Sequence, residues 1–543
     1  MAQRIRLRPW QKEALELTSA SDRPDFLAVA TPGAGKTTFA LTAAVHRLAA
    51  ADGPRRLIVV APTAHLKRQW AAAALSFGVH LDHQWTPADG PLPSDMHGVV
   101  TTYQQVAACA PLLARFAQGS MVIFDEIHHA GDDRAWGSAV RVAFGEASYR
   151  LSLSGTPFRS DTQSIPFLRY ELEEARPDYE FGYGSALTSG RVVRPVYFPR
   201  TNGQMEWSAA DGSIWSASFD DALDTARANQ RLRAALSLDG DWLPTVMATA
   251  HQRLMDLRRT HPDAGGLVIA TDQDHARGIA AALAWRHGVK PVIATSDDAG
   301  ASDRIAAFAA SDSPWLVAVR MVSEGVDIPR LRVGVFATTT TTELFFRQAV
   351  GRLVRWTPGV PAQRSYMYIP DDHRLRGWAY RIAEIRRHSL RRESSERGEL
   401  DPAELDPMRE EPIRDAEQLS LFAVISAVAT DVHDPTHDRS PDHDEPDPTD
   451  DSLLVDLPVL TGPGPRPGPG DAGGAAVLTR REHKAQLRVA NADLARNLVH
   501  KTGWSHAAVN AELNRLAGIR RITEATVEQL ERRLRQGNAW YKA

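Results

Sequence analysis

A glycine-rich segment with a Lys-Thr pair, ATPGAGKTT at 30–38, has residue types that suit phosphate binding. Gly33 and Gly35 would let backbone N–H groups curl around a phosphate, Lys36 would reach its terminal groups, and Thr37 would ligate magnesium. An apolar, strand-like stretch precedes the segment and a helical pattern follows it, which disfavours the alternative of a simple turn. The candidate cofactor-binding residues here are Gly33, Ala34, Gly35, Lys36, Thr37 and Thr38.

Two adjacent carboxylates, Asp125 and Glu126, end another apolar stretch, MVIFD. At the carboxyl edge of a parallel sheet, such a pair faces the nucleotide crevice. We expect Asp125 to hold magnesium together with Thr37, and Glu126 to orient or deprotonate the attacking water. His128 and His129 could instead indicate zinc, but no other ligand has suitable spacing. We expect one of these histidines to couple the pair to the next motif.

Three polar side chains recur at helical spacing in FFRQAVGRLVR, at 345–355. Gln348, Arg352 and Arg355 are separated by four and three residues, so a helix would place them on one face. Two fixed guanidinium groups suit a γ-phosphate, and they could act as arginine fingers across a domain cleft. The alternative is a solvated basic face.

Ten short apolar stretches alternate with amphipathic, helix-like segments. Continuously apolar strands that alternate with helices predict an α/β fold with parallel sheets covered on both faces. We predict two tandem domains, at 1–190 and 191–375, with a less regular stretch at 160–260. The predicted strands are 26–30, 57–61, 98–102, 121–125, 149–155, 266–271, 291–295, 315–319, 333–338 and 365–369.

The composition changes after the second predicted domain, and residues 376–477 read as a largely disordered linker. EPDPTDD at 445–451 is acidic, and GPGPRPGPGDAGG at 462–474 is rich in Pro and Gly. Neither segment has enough apolar surface to offset the entropy of ordering. An apolar island at 419–429 could form a short docking helix. The acidic part could mimic nucleic acid, although a solvated tether is the simpler interpretation.

The C-terminal segment, residues 478–543, predicts a small basic helical module. It carries 13 basic and 6 acidic residues. Trp504 and Trp540 could pack in its core, stack on bases or anchor a partner. We interpret the module as an accessory part that binds DNA or docks a partner. The predicted helices are 490–503, 505–518 and 522–536.

The charge of the chain is unevenly distributed. Residues 399–456 contain 18 acidic and 3 basic side chains, which leaves a net +11 for the remainder of a chain whose total is −4. A basic body favours a nucleic-acid partner. The lone Cys109 excludes intramolecular disulfides and multi-cysteine metal sites, and we expect it to be a small buried side chain. No long apolar run or signal-like N-terminus is present, so we expect a cytoplasmic protein.

The order and spacing of these segments resemble those of superfamily 2 helicases of the DEAD/DEAH type, with two RecA-like domains. The resemblance covers about residues 5–370. DEIHH with SGTP and GVDIP is closest to the XPB-like and type III restriction (ResIII) branch. The matching segments are LRPWQKEAL (Q motif), ATPGAGKTT (I), APTAHLKRQW (Ia), TTYQQ (Ib), DEIHH (II), LSGTPFR (III), VIATD (IV), MVSEGVDIPRL (V) and FFRQAVGRLVR (VI).

The resemblance implies further site residues. Gln11 would read the adenine edge, with help from Arg8, and Ser154 and Thr156 would link the nucleotide state to the grip on nucleic acid. Gly325 and Asp327 would approach the nucleotide from domain two. The implied contacts to the nucleic-acid backbone are Thr63, Thr102, Thr271 and Ser323, although Ser and Thr at strand ends are also ordinary helix caps.

The family resemblance implies an ATP- and magnesium-dependent helicase or double-stranded DNA translocase, with DNA favoured over RNA. A second hypothesis is a motor subunit of a repair, restriction or phage-defence complex that remodels or loads a partner without unwinding by itself. A third, a binding protein with an inactive ATPase, conflicts with the intact set of candidate catalytic residues. We find no nuclease signature. The catalytic candidates are Lys36, Asp125, Glu126, Gln348, Arg352 and Arg355.

Overall fold

The computed structural model contains two compact units. The first unit comprises Met1–Ala28, Gly35–Tyr179 and Asp450–Ala543, and the second comprises Val29–Ala34 and Glu180–Thr449. The structure describes residues 4–86, 89, 92, 95–131, 134–155, 165–171, 174–209, 213–295, 300–319, 328–361, 363–394, 423–433, 453–458, 460, 480–502, 504–520, 522 and 525–542.

The N-terminal region alternates buried strands with helices, as the apolar pattern predicted. Its central strands are buried along their whole length, because helices cover both faces of a parallel sheet. The elements are β1 (Arg4–Leu7), α1 (Pro9–Ala20), β2 (Asp25–Ala30), α2 (Lys36–Ala49), β3 (Leu57–Ala61), α3 (Ala64–Leu75), β4 (Leu81–Asp82), β5 (Gly98–Thr102), α4 (Tyr103–Ala117), β6 (Met121–Phe124), α5 (Arg134–Phe144), β7 (Tyr149–Ser154), β8 (Tyr170–Glu171), β9 (Glu174–Ala175) and β10 (Tyr179–Phe181).

Seven of these strands form one sheet in the order β10-β2-β7-β6-β3-β5-β4. The pairs β3–β5, β3–β6, β4–β5 and β6–β7 are parallel. The carboxyl ends of β3, β5, β6 and β7 therefore lie at the same edge, which we call the carboxyl edge. The motif residues that follow these strands are collected there.

Helix α4 is kinked at Cys109, whose φ of −139° is not helical. Pro111, two residues later, lacks the backbone N–H that would continue the helical hydrogen-bond ladder. The Cys109 thiol donates to the carbonyl of Gln105 at 3.0 Å and is only partly buried. We expected a small buried side chain, and the structure buries Cys109 only in part.

The second unit repeats the α/β pattern. Trp207, Trp242 and Trp315 are almost completely buried in its core. Its elements are α6 (Tyr183–Thr188), β11 (Val196–Tyr197), β12 (Arg200–Ser208), β13 (Ile214–Ser218), α7 (Thr225–Ala235), α8 (Trp242–Arg258), β14 (Gly265–Ala270), α9 (Gln273–His287), β15 (Val292–Ala294), α10 (Ala301–Ala309), β16 (Trp315–Val319), β17 (Leu331–Ala337), α11 (Glu343–Leu353), β18 (Ser365–Pro370), α12 (His373–Ser394) and β19 (Ala423–His433).

The sheet of the second unit has nine strands, with the path β13-β12-β18-β17-β14-β16-β15 and with β11 and β19 paired to β18 and β12. Strands β14 to β18 pair in parallel, whereas β12 pairs antiparallel with β13 and β19. Parallel sheets in both units confirm the predicted α/β fold.

The described part of the apolar island, residues 423–429, belongs to a strand and not to a docking helix. Strand β19 lies antiparallel along β12, and the Asp241 N–H donates to the carbonyl of Ala427 at 2.8 Å. Ala427 is buried while Val428 is half-exposed, the alternation that strands show. An available sheet edge and β-branched residues favour a strand here over the expected helix. Helix α12 also extends into the predicted linker, and the rest of residues 395–479 is outside the described residues except for β19, 453–458 and 460.

The predicted linker contains one more described strand, β20 (Leu453–Asp456), and the C-terminal segment contains α13 (Arg480–Thr502), α14 (His506–Ala517) and α15 (Val527–Lys542). Strand β20 pairs antiparallel with β1. The three helices enclose a small core, and Trp504 lies edge-on to Trp540 with ring centroids 5.5 Å apart, so these tryptophans pack on each other. Helix α13 begins ten residues before the predicted start. No helix among the described residues is long and apolar enough to cross a membrane.

A buried ion pair ties the three C-terminal helices to the rest of the first unit. Lys484 Nζ lies 2.6 Å from Asp95 Oδ1, and the Val527 N–H donates to Asp95 Oδ2 at 2.9 Å. Asp95 precedes β5, so this contact lies at the amino end of that strand. We call α13, α14 and α15 the C-terminal module.

Candidate nucleotide-binding site

The phosphate loop connects β2 to α2, and its glycines are structurally required. Gly33 and Gly35 have φ values of 88° and 93°, in the left-handed region that side chains disfavour. A Cβ on Gly35 would lie 2.7 Å from Gln11 Nε2. Helix α2 begins at Lys36 and has no side-chain cap, so its first N–H groups can serve an anion. Thr37 and Thr38 lie in this first turn, and Ala34 is buried beneath it.

Gln11 connects helix α1 to the phosphate loop. Its Nε2 donates to the Gly35 carbonyl at 2.8 Å, and its Oε1 accepts the Arg8 N–H at 2.8 Å. The side chain is almost fully buried. Both ends of the amide are therefore engaged within the protein, so Gln11 positions the loop. Its reading of an adenine edge stays a prediction.

Lys36 and Glu126 form a direct ion pair, with Lys36 Nζ 2.8 Å from Glu126 Oε1. The second oxygen of Glu126 accepts the Gly155 N–H at 2.9 Å. Burial tends to raise the pKa of Glu126, but Lys36, His128 and the Gly155 N–H outweigh burial and hold that pKa below its usual range. Glu126 also has a φ of 47°, a strained value for a residue with a side chain. The structure thus holds an ionised carboxylate beside the phosphate loop.

Asp125 is buried at the end of β6, between two aromatic donors. The indole N–H of Trp70 donates to its Oδ2 at 2.8 Å, and the Tyr103 hydroxyl donates to its backbone carbonyl at 3.0 Å. Burial and the adjacent Glu126 raise the pKa of Asp125, and the Trp70 hydrogen bond and Lys36 partly oppose that rise. Such a carboxylate would gain most from a nearby cation.

His128 lies between Glu126 and Ser154. Its Nδ1 is 3.6 Å from Glu126 Oε2 and 3.5 Å from Ser154 Oγ. This is the placement expected of a histidine that couples the carboxylate pair to the next motif. Thr156 of that motif is outside the described residues. No three His, Cys, Asp or Glu side chains in the described part of the chain are grouped as metal ligands.

The predicted basic face of the second unit is only partly helical. Helix α11 ends at Leu353, so Gln348 and Arg352 lie on it four residues apart but Arg355 lies beyond its end. The helix stops because the chain pairs with the segment before β11: Arg355 forms a β-bridge with Val193. The prediction that all three residues share one helical face was therefore wrong for Arg355.

Arg355 nevertheless lies against the tip of the phosphate loop. Gly33, which groups with the second unit, has so little space that a Cβ there would meet Arg355 Nη1 at 2.8 Å. Pro32 is similarly close to Gly351 of α11, where an added Cβ would lie 2.7 Å from Pro32 Cγ. Arg355 is thus beside Gly33 within the second unit.

Residues 4–159 match the family model described as type III restriction enzyme, res subunit. This N-terminal stretch of the chain is similar to the ResIII family. Uncharacterized protein Rv2917 of Mycobacterium tuberculosis is 44% identical to the chain over 392 residues, 71% of this chain and 64% of that protein. The chain thus spans slightly less than two thirds of the length of this curated relative.

Two solved structures illustrate the range of similar folds. A fragment assigned to the HsdR subunit of a type I restriction enzyme from Vibrio vulnificus has a TM-score of 0.48, with 17% identity over 69% of this chain and 65% of that chain. Dbp5 of S. cerevisiae, bound to RNA and ADP BeF3, has a TM-score of 0.42, with 14% identity over 70% of this chain and 87% of that chain.

Two of the threonines that were predicted from the sequence to contact nucleic acid are found at helix starts. Thr63 caps α3 by accepting the Leu66 N–H at 3.4 Å, and Thr102 caps α4 by accepting the Gln105 N–H at 3.1 Å. Thr271 instead donates to the Ala337 carbonyl at 3.3 Å. Three predicted residues are outside the described part of the chain: Ser323, Gly325 and Asp327.

The motif pattern of the ResIII branch did not single out Trp70 and Tyr103, the two aromatic partners of Asp125. Both residues stand within segments that were recognised, at the end of APTAHLKRQW and inside TTYQQ. The sequence offered one chemical signal for these two residues. A buried tryptophan or tyrosine on the helix that follows a motif strand needs a hydrogen-bond acceptor for its N–H or O–H group.

Proposed function

We propose that this protein is an ATP-dependent motor that moves along DNA, either as a helicase or as a double-stranded DNA translocase. Superfamily 2 proteins use ATP with magnesium. The observation that carries the proposal is the convergence of Lys36, Asp125 and Glu126 beside an uncapped helix start at the carboxyl edge.

The residues of this site fit ATP and magnesium. Glycines at left-handed φ and the open start of α2 form a cradle for phosphate, and Asp125 is a buried carboxylate with a raised pKa. Asp125 and Thr37 would hold magnesium, which would neutralise the charge of the phosphates. Gln348, Arg352, Arg355, Gly325 and Asp327 remain proposed as nucleotide contacts supplied by the second unit.

The Lys36–Glu126 pair suggests how binding prepares hydrolysis. A phosphate in the loop would compete for the Lys36 ammonium and release Glu126 from its partner. Glu126 would stay oriented by the Gly155 N–H and could then align or deprotonate a water molecule. His128 would transmit the change from Glu126 toward Ser154.

The proposed track is nucleic-acid backbone, with DNA favoured over RNA. Helices α3 and α4 both begin at the carboxyl edge, and helix starts present N–H groups and positive dipole ends to phosphates. The basic body of the chain adds long-range attraction. Binding through phosphates should be sequence-tolerant and strongly salt-dependent.

A second candidate is a motor subunit that acts on a partner without unwinding. The observation that favours it is the C-terminal module, which has its own small core and a net basic charge and is fixed to the first unit by Lys484. A module held rigidly on a motor can transmit force to whatever binds it.

The test is the steady-state ATPase rate with no nucleic acid, duplex DNA, single-stranded DNA or RNA, with Lys36→Ala as the blank. The expected result is stimulation by DNA that the variant loses. Stimulation by RNA alone would overturn the DNA assignment, and absence of nucleotide binding would overturn the motor. Strand displacement then separates the candidates, because stimulated ATPase without displacement supports the subunit role.

A further inference from the structure

Two helices of the first unit donate hydrogen bonds to the same residue. Trp70 of α3 reaches the carboxylate of Asp125, and Tyr103 of α4 reaches its backbone carbonyl. Trp70 is 2% exposed and Tyr103 is fully buried. Asp125 is therefore held from two sides, by one donor that sets the rotation of its carboxylate and another that fixes its backbone.

Each donor lies close to a proposed contact with nucleic acid. Thr63 caps α3, and Trp70 follows it by about two helical turns. Thr102 caps α4, and Tyr103 is the next residue along the chain. A displacement of either helix start by a bound phosphate would therefore be carried directly to Asp125.

The two helices are also joined to each other. Lys67 Nζ of α3 donates to Gln105 Oε1 of α4 at 3.0 Å, and the Thr101 hydroxyl donates to the same oxygen at 3.0 Å. Gln105 Nε2 in turn donates to the carbonyl of Trp85 at 2.9 Å. Hydrogen bonds thus connect the first turns of the two helices, and each helix also donates a hydrogen bond to Asp125.

Simple core packing would not require this arrangement. Tryptophan and tyrosine could fill the same space with their polar tips at solvent, yet both tips are aimed at one proposed magnesium-binding residue. A hydrogen bond to a buried carboxylate is stronger than one between neutral groups and is costly to break without a substitute. Partners of this kind orient metal-binding side chains in other proteins.

We propose that Trp70 and Tyr103 are positioning residues that couple nucleic-acid binding at α3 and α4 to the orientation of Asp125 in the magnesium site. This inference rests on the proposed function, because it assigns the coupling between the track and the nucleotide site. Trp70 acts on the carboxylate and therefore has the larger effect. Tyr103 acts on the backbone and has the smaller one.

The test uses variants that remove only the polar tip, Trp70→Phe and Tyr103→Phe, in the full chain. The matched controls are Trp540→Phe in the C-terminal module and Tyr149→Phe on β7, aromatic residues of the same unit whose described contacts are with Trp504 and Arg47, respectively. Three quantities are measured: the affinity for a fluorescent ADP analogue with magnesium and with EDTA, the affinity for duplex DNA, and the stimulation of ATPase by that DNA. Thermal melting establishes that each variant is folded.

Trp70→Phe should weaken the magnesium-dependent part of ADP binding by about ten-fold, with the EDTA value unchanged. It should also lower the stimulation ratio while DNA affinity stays within about two-fold, since the phosphate contacts remain. Tyr103→Phe should change the same quantities in the same direction by about three-fold. The controls should match the wild type.

Each other outcome has a definite meaning. If the wild type binds no ADP analogue, the proposed function fails. If it binds but Trp70→Phe and Tyr103→Phe behave like their controls, or if no nucleic acid stimulates the wild type, this inference fails and the nucleotide site stands. If Trp70→Phe does not fold, Tyr103→Phe decides alone, and an unchanged magnesium dependence and stimulation ratio in it would overturn the proposal.

Discussion

Two lysine–carboxylate pairs of the first unit have similar distances and different surroundings. Lys36 lies 2.8 Å from Glu126, with side chains 13% and 26% exposed, whereas Lys484 lies 2.6 Å from Asp95, with side chains 3% and 4% exposed. The first pair is at the carboxyl edge beside the phosphate loop. The second joins the C-terminal module to the segment that precedes β5.

The difference in exposure separates an exchangeable pair from a fixed one. Solvent reaches both partners of Lys36–Glu126, and a phosphate could take the place of Glu126 beside Lys36. Glu126 also carries the strained φ typical of functional positions. Neither solvent nor ligand can replace a partner of Lys484–Asp95, whose second carboxylate oxygen is also satisfied by Val527. The same chemical pair is thus open to exchange in one place and enclosed in the other.

The largest expected effect comes from breaking the fixed pair. Lys484→Met keeps most of the side-chain volume but leaves a buried charge on Asp95, which should cost about 3–5 kcal/mol in the stability of the docked module. Hydrogen exchange of α13 measures this loss. Basal ATPase should remain near the wild-type rate, because the variant leaves the phosphate loop intact.

The double variant Asp95→Asn, Lys484→Met is the control for that prediction. It removes both charges, so much of the lost stability should return. If Lys484→Met alone changed the protection of α13 by less than about 0.5 kcal/mol, the pair would not be buried in solution, and the contrast between the two pairs would be lost.

Breaking the exchangeable pair should lower activity strongly and stability only slightly, the reverse of what we expect for the fixed pair. Lys36→Ala should lower kcat by about 10²–10³-fold, because a preorganised cation for the phosphates is removed. Thermal stability should fall by less than about 1 kcal/mol, since the pair is partly exposed and Glu126 keeps the Gly155 N–H. Single-turnover ATPase and thermal melting check the two halves. A large stability loss with residual activity would reverse the comparison.

Sequence alone could predict the exchangeable pair because local patterns specify its surroundings. Each apolar stretch that was interpreted as a strand is one, and the residues after β2 and β6 are placed by strand direction. Parallel strands bring their carboxyl ends to one edge, so Lys36 and Glu126 meet even though 90 residues separate them.

Sequence could not predict the fixed pair, because no local rule connects Asp95 to Lys484 across 389 residues. The same limit explains β19, whose conformation is decided by the free edge of β12 and not by its own composition. It also explains the end of α11, which the bridge between Arg355 and Val193 sets. Periodicity and spacing in the sequence thus do not predict these long-range pairings.

The hydrogen bond from Gln11 to the phosphate loop can be tested beside the exchangeable pair. Gln11→Glu can still accept the Arg8 N–H but cannot donate to the Gly35 carbonyl, and it adds a negative charge beside the phosphate loop. Affinity for an ATP analogue should fall about ten-fold. Comparison with Gln11→Ala separates the added charge from the lost bond. Unchanged affinity in both variants would mean that Gln11 does not position the loop.

The smallest expected effect concerns the caps at the carboxyl edge and in the module. Thr102→Ala and Ser505→Ala each remove a cap, of α4 and α14 respectively, and each should cost about 1 kcal/mol of local stability. Only Thr102→Ala should also weaken duplex DNA binding, by a few-fold. Thr102→Ser keeps the hydroxyl and should restore both properties. Equal DNA affinities for Thr102→Ala and Ser505→Ala would show that Thr102 only caps its helix. The carboxyl edge would then contact DNA through other groups.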